Sequence, residues 1–120
     1  MTTGCRVAVL GAYGAVGRHL VPETKRLGHH VTAVGRRAEQ LRAIAADAQE
    51  VGSIGDRVLL ARLGTDHDVV VNATGVEDAE AAGIVTDAGA AYADISADAD
   101  HLLALEALQP RRTGWRPDPS

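Results

Sequence analysis

The sequence predicts a doubly wound α/β fold, in which helices cover both faces of a parallel sheet of about five strands. Short apolar runs alternate with longer segments of helical period along most of the chain, and a glycine-rich turn directly follows the first run. The runs at residues 7–10 and 69–71 are apolar throughout, which is typical of strands buried on both faces. A chain of 120 residues is long enough for one domain with one core.

The predicted elements alternate between strand and helix. The predicted strands are residues 5–10, 31–34, 50–52, 69–72 and 91–93. The predicted helices are residues 15–27, 38–48, 56–63, 77–88 and 98–108. This alternation implies right-handed crossovers and the strand order 3-2-1-4-5, so the first and fourth strands should flank the crevice where ligands bind.

Local signals support most of these boundaries. Gly28, Gly64 and Gly89 each follow a predicted helix, at a position where a left-handed cap is expected. Asp56 and Asp98 are expected to cap the first turns of two helices, because a carboxylate there accepts free backbone N–H groups.

Two parts of the chain depart from this pattern. Pro22 lies inside the first predicted helix and should kink or locally unwind it, since proline has no backbone N–H to donate. Residues 109–120 contain three prolines and three arginines and have no apolar period. We therefore expect a domain over residues 1–108 and a disordered tail over residues 109–120, with Trp115 exposed.

The turn after the first strand has glycines at a spacing of three, Gly11, Gly14 and Gly17. Gly11 is expected to end the strand at a sharp turn, and a side chain at Gly14 would keep the backbone away from a diphosphate. Gly17 should let the helix pack close to the sheet. The free N–H groups of the first helical turn, from Gly14 to Val16, would then point at the anion, aided by the helix dipole.

The position of this motif favours a dinucleotide site over a structural turn. Glycine is common here, at 13 of 120 residues, so the spacing alone is weak evidence. However, the motif follows a predicted strand, opens a predicted helix and precedes a second strand at the distance that such sites require. The predicted contact residues of the turn are Gly11, Tyr13, Gly14, Ala15, Val16 and Gly17.

The end of the second strand predicts which dinucleotide binds. NAD-preferring sites place an acidic residue there to bind both ribose hydroxyls, but this chain has Gly35 followed by Arg36 and Arg37. A guanidinium forms charge-assisted hydrogen bonds with a 2′-phosphate, which a carboxylate would repel. We therefore predict NADP (NADPH) as the cofactor. The alternative is an ordinary pair of solvated arginines.

Three further groups of residues are candidates at the carboxyl edge of the sheet. The small polar segment Asn72, Ala73, Thr74 and Gly75 follows the fourth strand and could approach a ribose or nicotinamide, or could be an ordinary Asn-containing turn. Asp56 could contact the adenine edge, although capping a helix is its other role.

Tyr92 and Asp94 end the fifth strand and are weak candidates for catalysis. Asp94 could equally cap the following turn. Lys25 is the only lysine and lies in the first helix, so neither Tyr13 nor Tyr92 can form the Tyr-x-x-x-Lys pair of short-chain dehydrogenases.

Composition disfavours several other classes of partner. The net charge of −4, without a basic stretch, disfavours nucleic acid. Cys5 is the single cysteine and the five histidines lack metal-ligand spacing, so no metal is expected. No run approaches the roughly 18 apolar residues of a membrane helix, and we expect a soluble, cytoplasmic protein.

Four segments carry a family resemblance: GAYGAVGR at residues 11–18, VGRR at 34–37, VVNATG at 70–75 and GAAYADIS at 89–96. In these segments the chain resembles the NADP-binding, Rossmann-like domain of the saccharopine dehydrogenase-like family. The resemblance implies an oxidoreductase in which a substrate domain, missing here, or a partner chain completes the site.

One alternative to an incomplete enzyme stays open. The chain could be a non-catalytic module that senses NADP or binds a partner. The edge of its last strand could also pair with a second copy, because an uncovered strand edge presents unpaired backbone groups, and a homodimer would result.

Overall fold

The computed structural model describes residues 4–95 as a five-stranded parallel sheet with the order β3-β2-β1-β4-β5. This confirms the predicted fold class and strand order. The predicted helix at 98–108, the Asp98 cap and the tail at 109–120 lie outside the described residues. The elements in chain order are β1 (Arg6–Leu10), α1 (Gly17–Arg26), β2 (His30–Gly35), α2 (Ala38–Arg42), β3 (Ala48–Val51), α3 (Arg57–Asp66), β4 (Val69–Asn72), α4 (Ala79–Ala88) and β5 (Ala91–Asp94).

β1 is the central strand, and its alternating side chains belong to two separate cores. Val7 and Val9 pack in the cluster that contains Leu20 of α1 and Leu41 of α2. On the other face, Ala8 and Leu10 pack with residues of α3 and α4. Both faces of β1 are therefore covered, as its unbroken apolar sequence predicts.

No helix within residues 4–95 is long and apolar enough to cross a membrane.

The strand register brings the functional edge of the sheet together. Leu10, the last residue of β1, lies beside Val34 of β2 and beside Asn72 of β4. Because all five strands are parallel, their carboxyl ends meet at one edge, and the loops that follow β1, β2 and β4 leave from neighbouring points.

The second helix is shorter than predicted. It ends at Arg42 rather than continuing to residue 48, and Ala48 already belongs to β3. Asp47 determines this change, since its backbone N–H donates to the carbonyl of Val31 at 2.9 Å and its carboxylate accepts the N–H of Val31 at 2.8 Å. Pairing with β2 thus overrides the helix propensity of an alanine-rich segment.

The first helix is continuous from Gly17 to Arg26 and includes Pro22, so the local unwinding expected there is absent. The side chain of Pro22 is exposed. Gly28 and Gly89 have φ angles of 96° and 121° and follow α1 and α4, which confirms both as helix caps.

The prediction that Gly64 ends a helix is wrong. α3 continues to Asp66, and Gly64 is buried inside it, against α4. A Cβ atom at this position would lie 2.8 Å from the carbonyl oxygen of Val85 and 2.8 Å from the Cβ of Ala88. The glycine is therefore required where the two helices cross.

We expect Gly64→Ala to destabilise the fold relative to Gly83→Ala. Both changes give the same gain in helix propensity, but a Cβ at Gly83 in α4 would meet no atom within 4 Å. Overpacking at Gly64 should therefore separate the unfolding free energies of the two variants by about 1–3 kcal/mol, as measured by urea denaturation. Equal stabilities would show that the crossing can relax without cost.

Candidate functional site

A cavity of about 410 Å³ opens at the carboxyl edge of the sheet. This volume is within the range of small-molecule sites, and the position is the switch point where ligands bind in doubly wound sheets. Its walls come from the ends of β1 and β2 and from the loops that follow β1, β2, β3 and β4. Within the described part of the chain it is lined by residues 10–11, 14–16, 34–36, 52–54 and 73–76 and by Ile95.

The glycine turn begins with a sharp reversal at Gly11. Its φ angle is +76°, a region that side chains rarely adopt, and its N–H donates to the carbonyl of Val34 at 2.9 Å. A Cβ at this position would lie 3.0 Å from the Cα of Thr74. Gly11 therefore permits both the turn and the close approach of the loop after β4.

The middle of the turn leaves backbone donors available at the start of α1. The prediction is wrong for Gly14, because its N–H is not free but donates to the carbonyl of Gly11 at 3.0 Å. The N–H groups of Ala15, Val16 and Gly17 take part in no hydrogen bond within residues 4–95. These donors stand at the amino terminus of a helix, which is the arrangement that binds a phosphate.

The third glycine has a different role from the one expected. A Cβ at Gly17 would collide with the carbonyl oxygen of Gly11 and would lie 2.8 Å from the Cα of Ala12. Gly17 therefore lets the start of α1 pack against the turn itself, and Gly17 does not line the cavity, although it was predicted to contact the cofactor.

Tyr13 leaves the turn and reaches the end of β2. Its phenol oxygen accepts the backbone N–H of Arg36 at 3.1 Å and of Arg37 at 3.0 Å. Its ring lies against Gly35, and Tyr13 itself does not line the cavity. Arg36 lines the cavity, whereas Arg37 does not. Both arginines are exposed, and neither forms an ion pair within residues 4–95.

The side chain of Asn72 organises the loop after β4. It is fully buried, and its oxygen accepts the N–H of Thr74 at 3.0 Å and the hydroxyl of Thr74 at 2.6 Å. Its nitrogen donates to the carbonyl of Val76 at 2.7 Å. Ala73, Thr74 and Gly75 line the cavity but Asn72 does not, so the amide shapes the wall without facing it.

The structure does not bring Tyr92 or Asp94 to the cavity. Tyr92 packs against the core on the α3 and α4 side, and burial raises its pKa to about 12, so the phenol keeps its proton at neutral pH. Its hydroxyl has no hydrogen-bond partner within residues 4–95. Partial burial, reinforced by the charge of Glu77, raises the pKa of Asp94. A catalytic role for either residue stays a prediction.

The loop after β3 forms a wall that the sequence motifs do not indicate. Gly52, Ser53 and Ile54 line the cavity, whereas the carboxylate of Asp56 accepts the N–H of Leu59 at 3.0 Å and caps α3. In the sequence, the only indication that this loop forms part of the cavity was its position after a predicted edge strand. No group of three or more His, Cys, Asp or Glu side chains that could hold a metal occurs within residues 4–95.

Together the fold and the cavity define a nucleotide-binding domain of the doubly wound class. Its parallel sheet, positive-φ glycine turn and free helix donors are those of a dinucleotide site. The chain belongs to the NAD(P)H-binding family, whose model matches residues 11–110. No curated protein matches the chain significantly.

Solved structures with the same fold include nucleotide-binding enzymes. WbmG of Bordetella bronchiseptica, in complex with NAD and UDP, has 20% identity and a TM-score of 0.60 over 78% of this chain and 37% of its own. WbmH of the same organism, in complex with NAD⁺, has 21% identity and a TM-score of 0.56 over 72% and 36%.

N5-carboxyaminoimidazole ribonucleotide synthetase from Thermotoga maritima is also similar, with 19% identity and a TM-score of 0.64 over 74% of this chain and 24% of its own. The chain thus spans between 24% and 37% of the length of these three proteins. At such identities the likeness shows the fold alone.

We predict that Gly14→Val abolishes dinucleotide binding while the fold persists. The added branches would occupy the cavity wall that a diphosphate must approach, and the nearest atom to a Cβ there is the Gly11 oxygen at 3.2 Å. Calorimetric titration with NADPH and NADH measures the binding, and thermal melting checks the fold. Gly83→Val, at a site with open space, is the matched control. Undiminished binding by Gly14→Val would contradict a phosphate site at this turn.

Proposed function

We propose that this chain is the NADP-binding domain of a saccharopine dehydrogenase-like oxidoreductase, whose substrate domain is supplied by another part of the protein or by a partner chain. The observation that carries the cofactor choice is the position of Arg36 at the carboxyl end of β2. Arg36 is the only charged residue among the described residues that line the cavity. An NAD-preferring site would have a carboxylate at this end of the strand.

The charge of the cavity supports binding of a 2′-phosphate. A phosphate at the adenosine ribose carries negative charge, and the guanidinium of Arg36 can form two charge-assisted hydrogen bonds with it. Because Arg36 has no acidic partner within residues 4–95, its charge is not already neutralised. Arg37 follows it in the same loop and adds to the positive potential.

The remaining walls fit the other parts of the dinucleotide. The free N–H groups of Ala15 and Val16, which line the cavity, suit the diphosphate. Val34 and Ile54 provide apolar surface on the β2 and β3 side, where the adenosine half would lie. Residues 73–76 and Ile95 line the opposite half, where the nicotinamide would lie. When bound, the nicotinamide supplies or accepts a hydride, and this chain's residues hold and orient it.

The family resemblance supports the oxidoreductase part of the proposal. Its first segment, residues 11–18, forms the phosphate-binding turn, and its second, residues 34–37, carries the two arginines. Its third segment, residues 70–75, contributes the end of β4 and the wall built around Asn72.

A second candidate is a module that senses NADP without catalysis. The observation in its favour is that no side chain with an acid or base function near neutral pH lines the cavity within residues 4–95. Tyr92 and Asp94, the candidates for such a role, lie outside it.

We predict that Arg36→Ala weakens binding of NADPH by about 10- to 100-fold and leaves NADH nearly unchanged. Loss of a hydrogen bond to a charged group costs about 1.5–3 kcal/mol, and only NADPH has the 2′-phosphate. Calorimetry with both cofactors measures the change. Arg26→Ala serves as the control, because it removes the same charge at the carboxyl end of α1, the end away from the glycine turn. An equal loss for both cofactors would instead assign Arg36 a general structural role.

We further predict that the chain alone binds NADPH but does not transfer a hydride at a useful rate. The described cavity provides one wall for a substrate, and positioning of the two reactants supplies about 7–11 kcal/mol of the barrier in complete enzymes. The test follows the absorbance of reduced nicotinamide while candidate imines, amino-acid adducts and enoyl compounds are added. Light scattering determines whether the protein in the assay is a monomer or a homodimer. Saturable turnover by a monomer would contradict the proposal that a substrate domain from elsewhere completes the site.

A further inference from the structure

Tyr13 connects the phosphate-binding turn to the loop that carries the arginines. It follows Ala12 in the turn, is half-buried, and packs against the core cluster on the α1 side of the sheet. From there its side chain crosses to the end of β2, where the ring meets Gly35 and the phenol meets the next two residues.

The ring of Tyr13 occupies the space that a side chain at position 35 would need. A Cβ built on Gly35 would lie 3.0 Å from Cδ2 and 3.1 Å from Cζ of Tyr13, and would collide with Cε2 between them. In NAD-binding sites the carboxylate that binds the ribose hydroxyls extends from this end of the strand. Tyr13 and an acidic residue at position 35 therefore exclude each other.

The phenol of Tyr13 fixes the backbone from which both arginines extend. Its oxygen accepts two N–H groups, those of Arg36 and Arg37, and so uses both of its lone pairs. Its phenolic hydrogen donates to no acceptor within residues 4–95. Since Arg36 lines the cavity, this hydroxyl lies beside the backbone of the cavity wall, near the place where a 2′-phosphate would bind.

We propose that Tyr13 is a specificity-determining residue of the cofactor site, an inference that rests on the proposed NADP function. Its ring occupies the space of the carboxylate that would select NAD, and its phenol fixes the backbone from which Arg36 extends to the 2′-phosphate. Tyr13 is thus a positioning residue that acts on the phosphate through Arg36.

Tyr13→Phe tests the phenol while keeping the ring. We expect binding of NADPH to weaken by roughly 5- to 30-fold, because two hydrogen bonds that order the arginine loop are lost, and binding of NADH to stay within about twofold. Adenosine 2′,5′-bisphosphate and adenosine 5′-monophosphate, which differ only in the 2′-phosphate, should show the same difference by calorimetry. Thr86→Val, which removes a hydroxyl bonded to the carbonyl of Ala82 on α4, is the control.

A double-mutant cycle tests the connection to Arg36. If Tyr13 acts through this arginine, the losses of NADPH affinity for Tyr13→Phe and Arg36→Ala should be less than additive in the double variant.

Tyr13→Ala combined with Gly35→Asp tests the ring, because the exchange should raise the affinity for NADH relative to NADPH. Gly35→Asp alone should weaken both cofactors, since the new side chain collides with the ring.

The outcomes separate this inference from the proposed function. If Tyr13→Phe weakens the binding of both cofactors equally, or of neither, while Arg36→Ala selectively weakens the binding of NADPH, then the proposed role of Tyr13 is wrong and the NADP assignment stands. If the unmodified chain binds NADH as tightly as NADPH, the NADP assignment itself is wrong. A selective loss of NADPH with an unchanged melting temperature supports the inference.

Discussion

The carbonyl oxygen of Val34 is the point on which the binding site depends. It accepts the N–H groups of Gly11 at 2.9 Å and Ala12 at 3.1 Å, and thereby ties the glycine turn to the end of β2. Because Leu10 is paired with Val34 in the parallel ladder, the turn leaves the sheet at a fixed place. The positive φ of Gly11 then directs the chain toward α1, so that Ala15 and Val16, whose N–H groups are free, line the same cavity as Arg36.

The opposite wall is held by a different kind of interaction. Asn72 is buried at the end of β4, and its amide bonds to Thr74 and to the carbonyl of Val76. These bonds order the loop before any ligand is present, so a cofactor would not have to supply that ordering free energy when it binds. Arg36 is the contrasting case, since its exposed side chain must be immobilised on binding. The site therefore combines rigid walls with one adjustable charged group.

Features that follow from a local sequence pattern were predicted correctly, whereas features that depend on contacts between residues far apart in the chain were not. Unbroken apolar runs placed β1 and β4 in the middle of the sheet, and the glycine spacing located the turn. By contrast, the alanine-rich segment before Asp47 reads as helix because nothing local reveals its pairing with Val31. Gly64 resembles a helix end for the same reason, since its contact with α4 lies far along the chain. The wall at residues 52–54 has no motif of its own.

The contact between Tyr13 and Gly35 has a consequence for how such a domain could diverge. The residues at positions 13 and 35 cannot be substituted independently. If a side chain is added at position 35 while Tyr13 is still present, it collides with the tyrosine ring. The reverse order leaves a void beside the core and frees two backbone donors. Either first step passes through a weakened intermediate. Among descendants of this chain, the identities at positions 13 and 35 should therefore covary, and changes of cofactor preference should be rare.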